Sequence, residues 1–151
     1  MQRPLPDRNG RAATSGGVRD SKAMIAGLTP LPDPAVHLFC TVSAAAVTPR
    51  MTSLARAMLR EDEGVILVLS IQDETDLGLA STAPPMARIT LGVHSALDGV
   101  GLMAAVATVL ADQAIPCKMV AGYHHHHVFV PLDQADAALT ALREPQTRGA
   151  P

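Results

Sequence analysis

The strongest constraint on the fold lies where an alternating strand runs into a glycine-bracketed apolar helix and then a second strand. In Ile89-Thr90-Leu91-Gly92-Val93-His94, residues Ile89, Leu91 and Val93 share one face, while Arg88, Thr90 and His94 share the other. That is the period of a half-buried strand. The spacing predicts a helix over Gly99–Gln113, ending before Ala114-Ile115-Pro116, where the next strand begins. The junction Asp98-Gly99-Val100-Gly101-Leu102 places two glycines and a carboxylate at a helix start, so a ligand can approach backbone N–H groups there. It reads as a binding site for a small polar molecule, not as a catalytic centre. The plain alternative is that Asp98 only caps the helix and the glycines only serve the turn.

Past its first turn this helix has only Thr108, Asp112 and Gln113 as polar positions. Met103, Val106 and Leu110 form a stripe, with Leu102, Ala105 and Val109 close to it. A surface helix keeps one polar face. Either the alanines leave the outer face bland, or a second surface, from the other half or a partner subunit, covers it; the second is the expectation.

At 151 residues the chain suits one compact domain or two small modules packed as a unit. A chain of this size buries roughly 70% of its unfolded surface, so its stability requires neither a disulfide nor a metal. A net charge of −2 without a basic block argues against nucleic acid. The only aromatic residues, Phe39, Tyr123 and Phe129, leave no stacking platform for bases. Cys40 and Cys117 each sit in an apolar run and read as buried small hydrophobes, which fits a reducing cytoplasm. The apolar stretches Val65–Leu69 and Val100–Val109 are too short to span a bilayer, so no membrane partner is expected.

Residues 1–19 lack periodicity and read as a disordered tail, with Met24 an open alternative start. A short helix is expected over Asp20–Leu28, then a Pro-rich turn at Pro30–Pro34 and a strand at Val36–Val42. Leu54–Arg60 is ambiguous between helix and strand. Glu61-Asp62-Glu63-Gly64 reads as a tight turn before the buried strand Val65–Leu69, and Gln72–Leu77 as a short helix closed by Gly78. Thr82-Ala83-Pro84-Pro85 separates the halves. The second half reads Ala87–His94, Gly99–Gln113, Pro116–Ala121, His125–Val130 and Asp133–Leu142, with Pro145 just beyond the last helix. This order, βαββα, is one strand short of a βαββαβ unit. Val36–Val42 is expected to supply the missing strand and so interlock the halves.

Asp98-x-x-Gly101-Leu102 through Val106, Leu110-Ala111-Asp112 and Ile115 resembles the ACT domain signature. A closer resemblance is to small bacterial tandem-ACT proteins of largely uncharacterised function. It runs through Ile89-Thr90-Leu91, Val93-His94-Ser95, Val100-Gly101-Leu102, Ala104–Thr108, Val120-Ala121-Gly122-Tyr123 and His125-x-His127-x-Phe129-Val130-Pro131. The resemblance implies an α+β fold of two ferredoxin-like ACT modules, with a strand exchanged between halves. It implies a tail at 1–19, an N-terminal ACT-like module at 20–81, a C-terminal ACT domain at 86–143 and a flexible tail at 144–151. ACT domains place amino acids or similar metabolites against the strand–helix loop, so Ser95, Asp98, Gly99, Val100, Gly101 and Leu102 are the implied ligand-binding residues. The backbone of Lys118, Met119 and Val120 on the neighbouring strand is implied to pair with such a ligand. Backbone N–H groups would take its carboxylate and an acceptor such as Asp98 its ammonium. A homodimer is implied as well, and no cofactor.

Relatives typically carry Gly-Tyr-Tyr-His-Asp-His where this chain has Gly122-Tyr123-His124-His125-His126-His127, so His124 stands for a Tyr and His126 for an Asp. An aromatic wall and a carboxylate are thereby lost at a possible ligand rim. On one strand His125 and His127 would share a face, which makes them weak metal candidates, because zinc wants three or four ligands. Outside this run, His94 and His37 are the only other histidines of the chain. A polar hairpin of half-exposed imidazoles is the expected role. Neither a nucleophile elbow nor a phosphate loop nor a clustered carboxylate pair is present, so no enzyme activity is expected. The expected function is binding of a small metabolite, an amino acid first, that regulates a partner. The alternatives are a ligand-free scaffold module and a metal-dependent enzyme built on the histidines.

Overall fold

A computed structural model describes residues 27–92 and 101–147. The chain begins there with strand β1 (Pro30–Val42), a short 3-10 turn at Ala44–Ala46, and helix α1 (Pro49–Leu54). A hairpin of β2 (Ala57–Glu61) and β3 (Gly64–Ser70) follows, then helix α2 (Ile71–Asp76). The second half repeats the order with β4 (Met86–Leu91), α3 (Leu102–Asp112), β5 (Lys118–Ala121), β6 (His126–Pro131) and α4 (Ala135–Thr147), the last entered through a 3-10 turn at Leu132–Gln134. All six strands form one sheet in the order β2-β3-β1-β4-β6-β5, with every pair antiparallel. Each half therefore contributes first, third and second strand outward from a seam where β1 meets β4.

In a four-stranded ferredoxin-like unit a fourth strand lies beside the first. Here that place beside β4 is taken by β1, and the place beside β1 by β4. The halves interlock as expected through the strand that holds Val36–Val42, but the pairing uses its start and only Val36 and His37 of that segment. Pro30, Leu31 and Pro32 pair with Leu91, Thr90 and Ile89, and after a bulge Val36 and His37 pair with Ala87 and Met86. His37–Val42 pairs instead with Ser70–Val65 of β3, so β1 remains with its own half while joining the other. The expected Pro-rich turn is strand. Prolines are tolerated there because β3 reaches only to His37, so that stretch has a neighbour on one side alone.

Alternation divides the sheet into two faces. On the helix side, Ile89, Leu91, Val128 and Val130 pack with Leu102, Val106 and Leu110 of α3 and with Ala138 and Leu142 of α4. Leu28, which precedes β1, joins this second-half core. In the first half Leu38, Cys40, Val65, Leu67 and Leu69 form the helix-side core, closed by Met51, Leu54 and Leu77. Each fully buried Val, Leu or Ile side chain among them contributes roughly 1.5–3 kcal/mol. The opposite face carries a third cluster, Val68, Met86 and Phe129 with Phe39, Ala57 and Val120 against it.

Several boundaries differ from the sequence reading. Leu54–Arg60 is neither one helix nor one strand, because α1 ends at Leu54 and β2 starts at Ala57. The buried stripe of α3 is Leu102, Val106 and Leu110, with Met103 turned out at 37% exposure, since a four-residue step follows the 3.6-residue turn across the core. Helix α4 continues past Leu142 and through Pro145 to Thr147. A proline this near the helix end gives up its own N–H bond and crowds the carbonyl one turn back, with little helix left beyond it to disturb. Gly78 closes α2 as expected: its N–H donates to Thr75 at 3.0 Å and that of Leu79 to Glu74 at 3.1 Å, satisfying the last carbonyls. The expected helix Asp20–Leu28 lies outside the described residues except for a turn at Gly27 and the buried Leu28.

Candidate functional site

Strand β4 brings the chain to the junction that the sequence singles out. Of the implied ligand-binding residues, Ser95, Asp98, Gly99 and Val100 lie outside the described residues, as do Val93 and His94. Gly101 is the N-cap of α3, with φ of 100°. That left-handed backbone suits glycine, and glycine has no side chain with which to cap the helix. The first-turn N–H groups of α3 lack intrahelical partners. Leu102 is 2% exposed and belongs to the helix-side core, so its side chain is packing.

The strand pairing locates the other implied residues. Leu91 pairs with His126, which pairs with Ala121, so the β4 exit and the end of β5 lie at one end of the sheet. Lys118 pairs with Phe129 three residues back, about 10 Å along the strand. Val120 is therefore nearer to the loop end than Lys118. Met119 packs toward the helix-side core, whereas Val120 packs on the opposite face, and strand alternation puts Lys118 there too. Strand β5 ends the sheet order, so its outer backbone edge has no strand partner among the described residues.

The seam between halves holds a second group that composition alone does not reveal. Asp33, in the β1 bulge, accepts from the Ala35 N–H at 2.8 Å and pairs with the Arg88 guanidinium. Burial works against the Asp33 carboxylate, but the Ala35 amide and Arg88 outweigh it and hold the carboxyl below its usual range. His37 is fully buried, its Nε2 4.0 Å from Asp33, and neither ring nitrogen hydrogen-bonds among the described residues. Burial first, then the Arg88 charge, pushes its pKa down. Its ring meets Phe129 edge-on at 5.7 Å, and Phe129 meets Phe39 at 5.2 Å. Beside them His127 Nδ1 lies 3.1 Å from Thr90 Oγ1. Sequence reading missed Asp33, His37 and Arg88 as a group because the bulge that joins them is a register feature.

With this geometry in place, comparison with known proteins decides the family. ACT domain profiles match residues 86–144 and residues 16–85. A Vibrio cholerae protein of unknown function, described as a possible transport protein, is 38% identical with a TM-score of 0.72, covering 83% of this chain and 96% of that one. The chain belongs to the ACT domain family. A protein from Agrobacterium tumefaciens shares the fold at 14% identity and a TM-score of 0.61, over 79% of this chain and 89% of its own. The ligand-free regulatory subunit of aspartate kinase from Thermus thermophilus does so at 9% identity and 0.55, over 79% and 97%. No curated protein matches. The expected α+β fold of two ACT modules is what the chain adopts.

The histidine run of this tandem ACT protein is divided by the hairpin rather than aligned on one strand. Gly122 N–H donates to His125 O at 2.9 Å, closing a turn, and β6 begins only at His126. His125 and His127 consequently do not share a strand face. The turn forms because Gly122 approaches His125 too closely for any side chain: a Cβ there would lie 2.8 Å from the His125 carbonyl. Among the described residues no group of three or more His, Cys, Asp or Glu is placed to hold a metal. Cys40 is buried, with burial pushing its thiol pKa up, and Cys117 is half-buried; both are free. Among the described residues no helix is long and apolar enough to cross a membrane.

Proposed function

We propose that this ACT protein is a regulatory module without catalytic activity of its own, binding a small metabolite, an amino acid first, at the β4–α3 junction. The observation that carries this reading is the start of α3: left-handed Gly101 presents the first-turn amides without a side-chain cap of its own. Such amides favour a carboxylate. Asp98 is the intended acceptor for the ammonium, Ser95, Gly99, Val100 and the Leu102 amide complete the loop, and the free edge at Met119 and Val120 flanks it. Lys118 is demoted to the outer limit of the site by its position along β5. The aspartate kinase subunits that share the fold support a regulatory role, because they are themselves regulatory subunits.

Regulation follows from the shared sheet. A ligand that prefers one arrangement of the β1–β4 seam, or of a homodimer, shifts the population toward it by its differential affinity. The test is thermal unfolding of the full chain against each of the twenty amino acids near millimolar concentration. A ligand at about 100 times its dissociation constant adds roughly 2.7 kcal/mol and raises the midpoint by several degrees. One selective amino acid is the expected result. A flat panel removes the amino-acid reading and leaves a scaffold module.

A further inference from the structure

The face of the sheet opposite the helices holds a cavity of about 590 Å³. Its floor is Phe39, Ile66 and Val68, and its walls come from β2 and β5, which are the first and last strands of the sheet. Five interstrand spacings of about 4.8 Å would hold the edges of a flat sheet about 24 Å apart. One cavity of this size lined by both edges means that the sheet curls until they face each other across the floor. The wall on the β5 side is the consecutive run Lys118–Ala121. Side chains alternate along a strand, so four consecutive lining residues mean that the cavity runs along the edge of β5 rather than over one of its faces. Met58 and Leu59 beside the cavity are 47% and 61% exposed, large apolar groups left facing water.

We propose that this cavity is a strand-addition site that takes an extended, uncharged peptide segment with alternating apolar side chains. Three observations select this occupant. The β5 edge offers donors and acceptors at strand spacing, which a peptide backbone matches and a simple apolar ligand does not. The cavity volume fits one strand: spread along four to five residues at about 3.3 Å each, it leaves a cross-section of about 40 Å², against about 4.8 by 10 Å for one strand within packed sheets. The charged lining is balanced, Glu61 on one edge and Lys118 on the other, so no net charge is demanded of the guest. Apolar side chains of the added strand lie on Phe39 and Val68, and its backbone closes the curled sheet. This site shares the β5 edge at Met119 and Val120 with the proposed amino-acid site but does not depend on the β4–α3 loop binding anything, so peptide binding is expected to leave the amides of Gly101–Met103 unmoved.

The test is calorimetric titration of the full chain with acetyl-Val-Thr-Val-Thr-Val-amide, with amide NMR as the second readout. Saturable binding with shifts at Met119–Ala121 is expected. The same peptide N-methylated at alternate residues loses at least tenfold in affinity, as does Leu59→Glu, whose exposed position leaves the melting temperature unchanged. No saturable binding at millimolar peptide overturns the proposal, and so does equal binding of the N-methylated form, which would mean an apolar pocket without strand pairing. Sedimentation showing a dimer that Leu59→Glu dissociates also overturns it, because a second copy would then fill the cavity.

Discussion

The two halves share one strand plan and differ at the start of the helix that follows the first strand. In the first half, α1 begins with Pro49, which has no N–H to offer, and Thr48 Oγ1 accepts from the Met51 N–H at 3.2 Å. That helix start is used up internally. In the second half, α3 begins after Gly101, which has no side chain, and runs 11 residues against 6 in α1. Among the described residues, then, a side chain caps the start of α1 and none caps that of α3. On the proposed reading, duplicated modules need not duplicate a site: the first half completes the sheet, and the second presents backbone donors.

The comparison is broken most forcefully in the cores. Leu67→Ala in the first half and Leu110→Ala in the second, both fully buried, are each expected to cost about 2–5 kcal/mol. Because β1 pairs with both β3 and β4, each should lower the same single unfolding transition in a chemical denaturation. Two separate transitions would mean that the halves are independent domains. Acid sharpens the view of the seam. Burial lowers the pKa of His37 and His126, and burial followed by the Arg88 charge lowers that of His127. The unfolded chain therefore takes up protons first: stability is full above about pH 6.5 and falls as pH drops through the lower folded values. A melting-temperature profile flat from pH 8 to 5 would contradict that sign.

Smaller effects address the helix starts directly. Gly101→Val forces a β-branched residue into a left-handed backbone, at a cost of about 1–2 kcal/mol, so its ligand response must be compared with its own unliganded baseline. Thr48→Ala removes the cap of α1 for about 0.5–1 kcal/mol and should leave any amino-acid response of the protein unchanged. Loss of that response on Thr48→Ala would place the site in the first half.

What the sequence made legible follows the strength of local signals. The alternation of β4 as far as Leu91, the apolar run of β3 and the close of α2 at Gly78 are short-range patterns that form where expected, while Val93 and His94 lie outside the described residues. Pro30–Pro34 reads as a turn because proline opposes a central strand; only the register, with β3 stopping at His37, shows that this stretch has one neighbour. The four histidines look like one strand because nothing local reveals the Gly122–His125 hydrogen bond that folds two of them into a turn. Asp33, His37 and Arg88 lie far apart along the chain, and only the seam assembles them. At the candidate site the glycines and the apolar helix were legible, whereas the position of Lys118 away from the loop depended on strand register.

The most direct test of the asymmetry between helix starts is an amide NMR titration of the full chain with an equimolar mixture of the twenty amino acids. The account predicts saturable shifts at the amides of Gly101, Leu102 and Met103 and along Met119–Ala121, with Arg50–Thr52 unmoved. Shifts confined to Arg50–Thr52, or none anywhere, would contradict it.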